Sequence, residues 1–207
     1  QIEAEALRQS RRPEALAEVE PFVAVVADHL NRRGRVIAED ALFFSLADGR
    51  DRLRIAFLLA AVPRFELRPE TPEYRRRWTT DPDAAGRAED LINRVVHDFE
   101  ESHRCVSEDE LRNMIALRGA EALGTAPEPE AADSYLGISR LIRKNPYGEY
   151  GLSHWPMISP SGVKEKAHAA LAKAGKPLHF LEVAEAINKA GWSSRKAHPQ
   201  TVHNELI

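Results

Sequence analysis

Cysteine is almost missing from this chain: Cys105 stands alone in 207 residues. No internal disulfide is possible, and the residue reads as a small buried apolar side chain in a protein of the reducing cytoplasm. Long hydrophobic runs are also lacking, since none approaches the roughly 18 apolar residues of a membrane span. The opening Gln1-Ile2-Glu3-Ala4-Glu5 has no charged n-region followed by an apolar stretch, so it is not a secretory signal. It carries no Met either, and the expectation is a chain that starts partway through a longer protein. Aromatic residues make up only 7%, enough for several small cores. There is no glycine-rich phosphate loop, no G-x-S-x-G turn and no metalloprotease helix motif. His198 and His203 are five apart, share no helix face and have no Cys beside them, which argues against a metal site. Asp and Glu are scattered among charged neighbours, with nothing to mark a catalytic acid or base. The expectation is a protein that is not an enzyme, with no cofactor, no small-molecule substrate and no membrane partner.

Charge of one sign is scarce overall, with a net of -3, but it is unevenly placed. Residues 1–16 carry 3 basic and 3 acidic side chains, and residues 17–82 carry 11 of each. Residues 83–159 carry 8 basic and 14 acidic, and residues 160–207 carry 7 basic and 4 acidic. A phosphate-binding surface needs excess Lys and Arg, because counterion release dominates nucleic-acid affinity. Only the last segment meets that condition. The acidic middle would repel a duplex and suits a protein partner better.

What is present is an order of elements that recurs. From Pro21, the residues Phe22, Val23, Val26, Ala27 and Leu30 space out one helix face. A short strand at Arg35-Val36-Ile37 follows, then helices over about Glu39–Leu46 and Arg50–Ala61, the latter with Leu53, Phe57 and Ala60 on one side. Phe65-Glu66-Leu67 and the stretch through Tyr74 to Trp78 suit a hairpin. In the second round Ile92, Val95, Val96 and Phe99 make a helix face, and Ser107 to Glu110 is a capping box. A mobile loop is expected over Gly119–Ala132. Asp133 is then expected to cap a helix carrying Tyr135, Ile138 and Ile142, and Asn145–Gly151 suits a hairpin. The third round opens at Ser159-Pro160, a cap with proline in the first turn. Val163, Ala167, Ala170 and Leu171 line its first helix, and Phe180, Val183, Ala184 and Ile187 its second. His198-Pro199 opens its third. Three rounds of helix–helix–helix–hairpin, the last without its hairpin, predict a mainly α chain of tandem winged helix-turn-helix modules with short β-hairpin wings. Their boundaries are 17–82, 83–159 and 160–207.

Two stretches resemble known families. Gln1 to Arg8 is similar to the end of the promoter-reading helix of bacterial sigma factors, which implies that residues 1–16 close a preceding DNA-binding helix. The stretch Gly175-Lys176-Pro177-Leu178-His179-Phe180-Leu181-Glu182-Val183-Ala184, continued by Lys196-Ala197-His198-Pro199-Gln200-Thr201-Val202-His203-Asn204-Glu205-Leu206-Ile207, resembles the HARE-HTH winged helix domain. That family includes the delta subunit of bacterial RNA polymerase and occurs in chromatin and restriction proteins. Lys144–Leu152 with Trp155-Pro156 looks like the linker joining a sigma-type module to such a domain. The resemblances imply a sigma-like transcription protein whose partners are double-stranded DNA and the RNA polymerase core. A delta-like protein scaffold without DNA contact, and a recognition module attached to a DNA-modifying enzyme, are the other readings they leave open.

The residues that would touch DNA follow from helical phase. Counting about 100° per residue from Pro199, Val202 and Leu206 turn toward the core, while Gln200, Thr201 and Asn204 turn away with His203 on the flank. Gln and Asn can pair bidentately with adenine edges, and Thr can touch a thymine methyl. Ser193, Ser194, Arg195 and Lys196 precede the helix, where phosphate contacts fix register. In the first module Arg50, Arg52 and Arg54 line the start of the third helix, and Arg75-Arg76-Arg77 sit in the hairpin, both placed to grip phosphate. Trp155 and Trp192 can either stack on bases or pack.

Overall fold

The first helix runs through its proline. In a computed structural model, which describes residues 13–46, 52–192 and 195–207, α1 spans Pro13–Arg32 with Pro21 inside it. The expected start at Pro21 is therefore corrected. Proline removes one i→i−4 hydrogen bond, but the face after it, Val23, Val26, Ala27 and Leu30, is buried and holds the helix in place. Among the described residues no helix is long and apolar enough to cross a membrane.

The chain is mainly helical and divides into two compact units. One takes residues up to Val95 together with Asn113–Arg140, and the other takes Val96–Arg112 with Leu141–Ile207. In the first unit α1 leads through Gly34 and Arg35, both in the left-handed region, into β1 (Val36–Ala38). Then come α2 (Glu39–Leu46), α3 (Arg52–Ala61), β2 (Glu66–Arg68) and β3 (Arg77–Thr79). The strands form an antiparallel sheet in the order β1-β3-β2, with Ile37 opposite Trp78 and Trp78 opposite Leu67. Val26, Leu30, Ile37, Leu42, Ile55, Leu59, Phe65 and Trp78 form the core beneath it. Leu53, expected on the inner side of α3, is 87% exposed; Ile55 and Leu59 are inside instead. From Ile55 to Val62 every residue is apolar, so the sequence carries no polar stripe from which the helix phase could be read.

Three further helices follow: α4 (Pro82–Ser102), α5 (Glu108–Leu123) and α6 (Pro129–Ile138). Asp81 caps α4, its carboxylate accepting from the backbone N–H groups of Asp83 and Ala84. The expected mobile loop shrinks, because α5 continues to Leu123 and α6 starts at Pro129. Pro127 lies against Gly119, where a Cβ would come within 2.4 Å of the proline ring. Asp133 is consequently inside α6 rather than at its cap, and Pro129 holds the first position. Ser134 Oγ donates to Val36 O (2.6 Å) and Tyr135 Oη to Gly34 O (3.2 Å), fastening α6 to β1.

In the second unit Val106 bridges Tyr150, and β4 (Ile142–Lys144) pairs with β5 (Tyr150–Leu152). The lateral order is thus Val106, β5, β4, matching the β1-β3-β2 order of the first sheet. Ile142, expected on a helix, belongs to β4. Asn145, buried, builds the turn between the strands. Its side-chain oxygen accepts from Tyr147 N (2.9 Å) and Glu149 N (3.0 Å), and its amide donates to Glu149 Oε2 and Met157 O (both 3.1 Å). Ser107 accepts from Glu110 N (3.3 Å), but Glu110 turns its carboxylate to Arg104, so half of the expected capping box forms.

The last three helices are α7 (Val163–Ala174), α8 (Phe180–Ala190) and α9 (Pro199–Leu206). Ala167, Ala170, Val183, Ala184, Ile187 and Val202 form their core. α7 starts at Val163, later than Ser159-Pro160 suggested. Gly162 is its N-cap and offers no side chain, while Glu165 instead accepts from Ser161 N and Oγ. Gly175 and Gly191 end α7 and α8 in the left-handed conformation that glycine adopts without strain.

Candidate nucleic-acid interface

α9 is aimed by histidine and asparagine side chains. His198 is its N-cap and accepts through Nδ1 from Gln200 N (3.2 Å), and Pro199 fills the first turn. Asn188 of α8 clamps the approach, accepting from Ala197 N (2.7 Å) and donating to Ala197 O (3.1 Å). α8 is itself opened by a histidine, His179, which accepts from Leu181 N while Glu182 accepts from His179 N (2.7 Å). With both ends of the intervening turn fixed, Val202 is fully buried and determines which side of α9 faces outward.

That outward side holds three of the residues expected to touch DNA. Gln200, Thr201 and Asn204 are exposed, and Gln200 Nε2 donates to Asn204 Oδ1 (3.1 Å), so the two amides lie side by side one turn apart. Arg195 and Lys196 are exposed just before the helix. His203 is only partly free: its ring lies 4.9 Å from that of Phe180, which also meets His179 at 4.2 Å. Leu206 is corrected. It is 43% exposed, because it sits about 6 Å further along the axis than Val202, past the small alanine-rich core. Ser193 and Ser194 lie outside the described residues, as do Arg50 and the side chain of Arg54; so do residues 1–12, where the sigma-like stretch falls. Arg52 is exposed on α3.

Two of the three hairpin arginines of the first unit are engaged within the fold. Arg77 is 4% exposed, and its guanidinium donates to Glu89 Oε1 (2.9 and 2.7 Å) and to the carbonyls of Pro69 and Arg75 (both 3.1 Å). It also lies 5.0 Å from the Tyr74 ring centre. Arg68 joins the same Glu89 oxygen at 3.0 Å. Arg76 pairs with Glu39 at 3.1 Å, which also accepts from Trp78 Nε1 at 2.9 Å. Of the Arg75-Arg76-Arg77 run, then, Arg77 is inside the fold and Arg76 is ion-paired. Arg77, Trp78 and Thr79 are all buried, so no alternation marks Arg77, and nothing in the sequence names Glu89 as the partner 12 residues away.

Both questioned tryptophans pack within the second unit. Trp155 meets Phe99 edge-on at 6.0 Å and covers Gly151, while Trp192 meets Tyr147 edge-on at 5.8 Å. Cys105 is half-buried, and burial followed by the nearby Glu149 carboxylate pushes its thiol up, away from reactivity. Among the described residues no cluster of His, Cys, Asp and Glu is placed to hold a metal ion. No protein-family model, no curated protein and no solved structure matches this chain.

Proposed function

We propose that the chain is a DNA-binding transcription protein, sigma-like, built of winged helix-turn-helix modules and acting with RNA polymerase. The observation that carries this reading is the outward side of α9. Gln200, Thr201 and Asn204 stand clear on a helix fixed by Val202, with Arg195 and Lys196 at its start. That arrangement suits base edges and phosphates respectively. The net +3 of residues 160–207 gives it the sign a duplex needs. The recurrence of helix, strand, helix, helix and hairpin, with the first strand beside the last in both sheets, supports the winged reading of the two earlier segments. The test is binding of the full chain to mixed-sequence duplexes at several salt concentrations. Lys196→Glu is expected to weaken binding on every sequence and flatten the salt slope by about one or more. Asn204→Ala should cost preferred sequences about 1–3 kcal/mol. Binding untouched by both changes would remove α9 as the reading element.

The acidic segment 83–159 favours a second reading, a delta-like scaffold on polymerase without DNA contact. Duplex binding that is absent at low salt, together with capture of purified polymerase core, would favour it.

A further inference from the structure

Within the first unit a cavity of about 350 Å3 opens beside the bend that follows α1. Its volume falls in the range of roughly 300–1,000 Å3 typical of small-molecule sites. Arg32 from the end of α1, Arg35 from the bend and Arg87 from α4 line it, against a single carboxylate, Glu128. The Tyr135 ring and Pro127 supply apolar wall. The lining residues therefore carry a formal +2.

The arginines differ in how they are held. Arg32 pairs with Asp28 on an exposed flank at 3.0 Å, and Arg35 with Asp81 at 2.8 Å. Arg87 is exposed and has no ion-pair partner among the described residues. Arg35 has φ 66, a conformation that a non-glycine residue keeps only when its surroundings enforce it. Here its N–H donates to Leu30 O (2.7 Å), and its carbonyl accepts from Thr79 Oγ1 (2.7 Å). The strained residue thus brings a cation to the cavity's rim. Tyr135 is pinned to the same bend, so closely that a Cβ on residue 34 would lie 2.2 Å from its hydroxyl. Burial raises the Tyr135 hydroxyl's pKa, while Arg87 and Arg35 pull it down, which places both cations' fields on this wall. The first turn of α6, whose N-cap Glu128 gives no side-chain cap, borders the cavity through Glu128 and Ala131 and adds its positive end.

We propose that this cavity binds a small phosphate monoester, with Arg87 and Arg35 gripping the phosphate and Tyr135 and Pro127 covering an apolar body. The charge matches: a phosphate monoester carries about -1.5 to -2 near neutral pH, and arginine forks pair with it bidentately. The site is separate from α9 and does not depend on the DNA reading.

Calorimetric titration of the full chain with phenyl phosphate tests it, with phenol and inorganic phosphate as comparison probes. Phenyl phosphate should bind, phenol should not, and inorganic phosphate should bind more weakly. Arg87→Gln should weaken phenyl phosphate at least about tenfold at unchanged melting temperature, and Arg143→Gln, an exposed change in the other unit, should leave it alone. Absence of phenyl phosphate binding overturns the proposal. So does binding that survives Arg35→Gln and Arg87→Gln together, or that falls equally in Arg143→Gln. Equal affinity for inorganic phosphate overturns the role given to Tyr135 and Pro127.

Discussion

Glu89 and Asn145 each serve several partners at once, so a change at either is expected to be costly. Glu89 holds the buried Arg77 and the half-buried Arg68. Glu89→Ala leaves a buried guanidinium uncompensated, and a loss of about 3–5 kcal/mol is expected by denaturant unfolding. Adding Arg77→Met should recover much of it, since the uncompensated charge is then gone. Asn145→Ala removes two side-chain acceptor bonds from the β4–β5 turn and two donor bonds. A loss of about 2–3 kcal/mol is expected, with the Lys144 and Tyr150 amides exchanging faster. His29 predicts a pH response. Burial lowers its pKa from 6.5, helped by Arg33 and Arg32, and its ring lies 2.9 Å from Ser45 Oγ. The unfolded chain therefore binds a proton more readily, so stability should fall as pH drops below about 6.5 and level off once the folded imidazole is also charged. In His29→Gln that part of the pH profile should flatten, whereas an unchanged slope would dismiss His29 as its source. At this scale the polar face of α9 was legible, because the phase relative to Val202 needs no tertiary knowledge. The fate of Arg77 was not. A run of three arginines looks alike to composition whether one points inward or all point outward.

At the scale of elements, short helices depend on their ends. α9 has eight residues, too few to persist without a cap and a packed face. His198→Ala should cost about 1 kcal/mol, seen as faster amide exchange across Gln200–Asn204, and His198→Ser should restore most of it. Gly151→Ala is a sharper case, since its Cβ would meet Trp155 and Ile158 at 2.9–3.1 Å. About 1–3 kcal/mol of overpacking is expected, measured as a lowered melting temperature. Helix faces with clean polar stripes, those of α1, α4 and α8, could be read directly. α3 could not, because its continuous apolar run hides the phase. The boundaries of α6 and α7 slipped for another reason. Asp133 and Ser159 are good cap residues, but a proline or glycine at the true start sets the chain's path, and cap preference of about 1 kcal/mol cannot override it.

At the scale of the whole molecule, charge is unevenly placed, and the proposed partners would meet segments of opposite sign. The net -3 conceals an acidic middle and a basic final segment. If the chain binds duplex DNA as proposed, that binding should be steeply salt-dependent and weaker than that of a variant in which Glu100 and Glu101, both exposed on α4, are changed to Gln. Identical salt curves for the two would show that the acidic segment takes no part.

The sequence by itself determined the order of helices and hairpins, the buried faces of α1, α4 and α8, the charge of each segment and the outward side of α9, because all of these follow from local periodicity and composition. Only the tertiary structure decided that Arg77 is buried with Glu89, that α6 is fastened to β1, and that Arg32, Arg35 and Arg87 surround one cavity. These depend on contacts between residues 12 to about 100 positions apart, and no local pattern records which distant side chain closes a charge or a hydrogen bond.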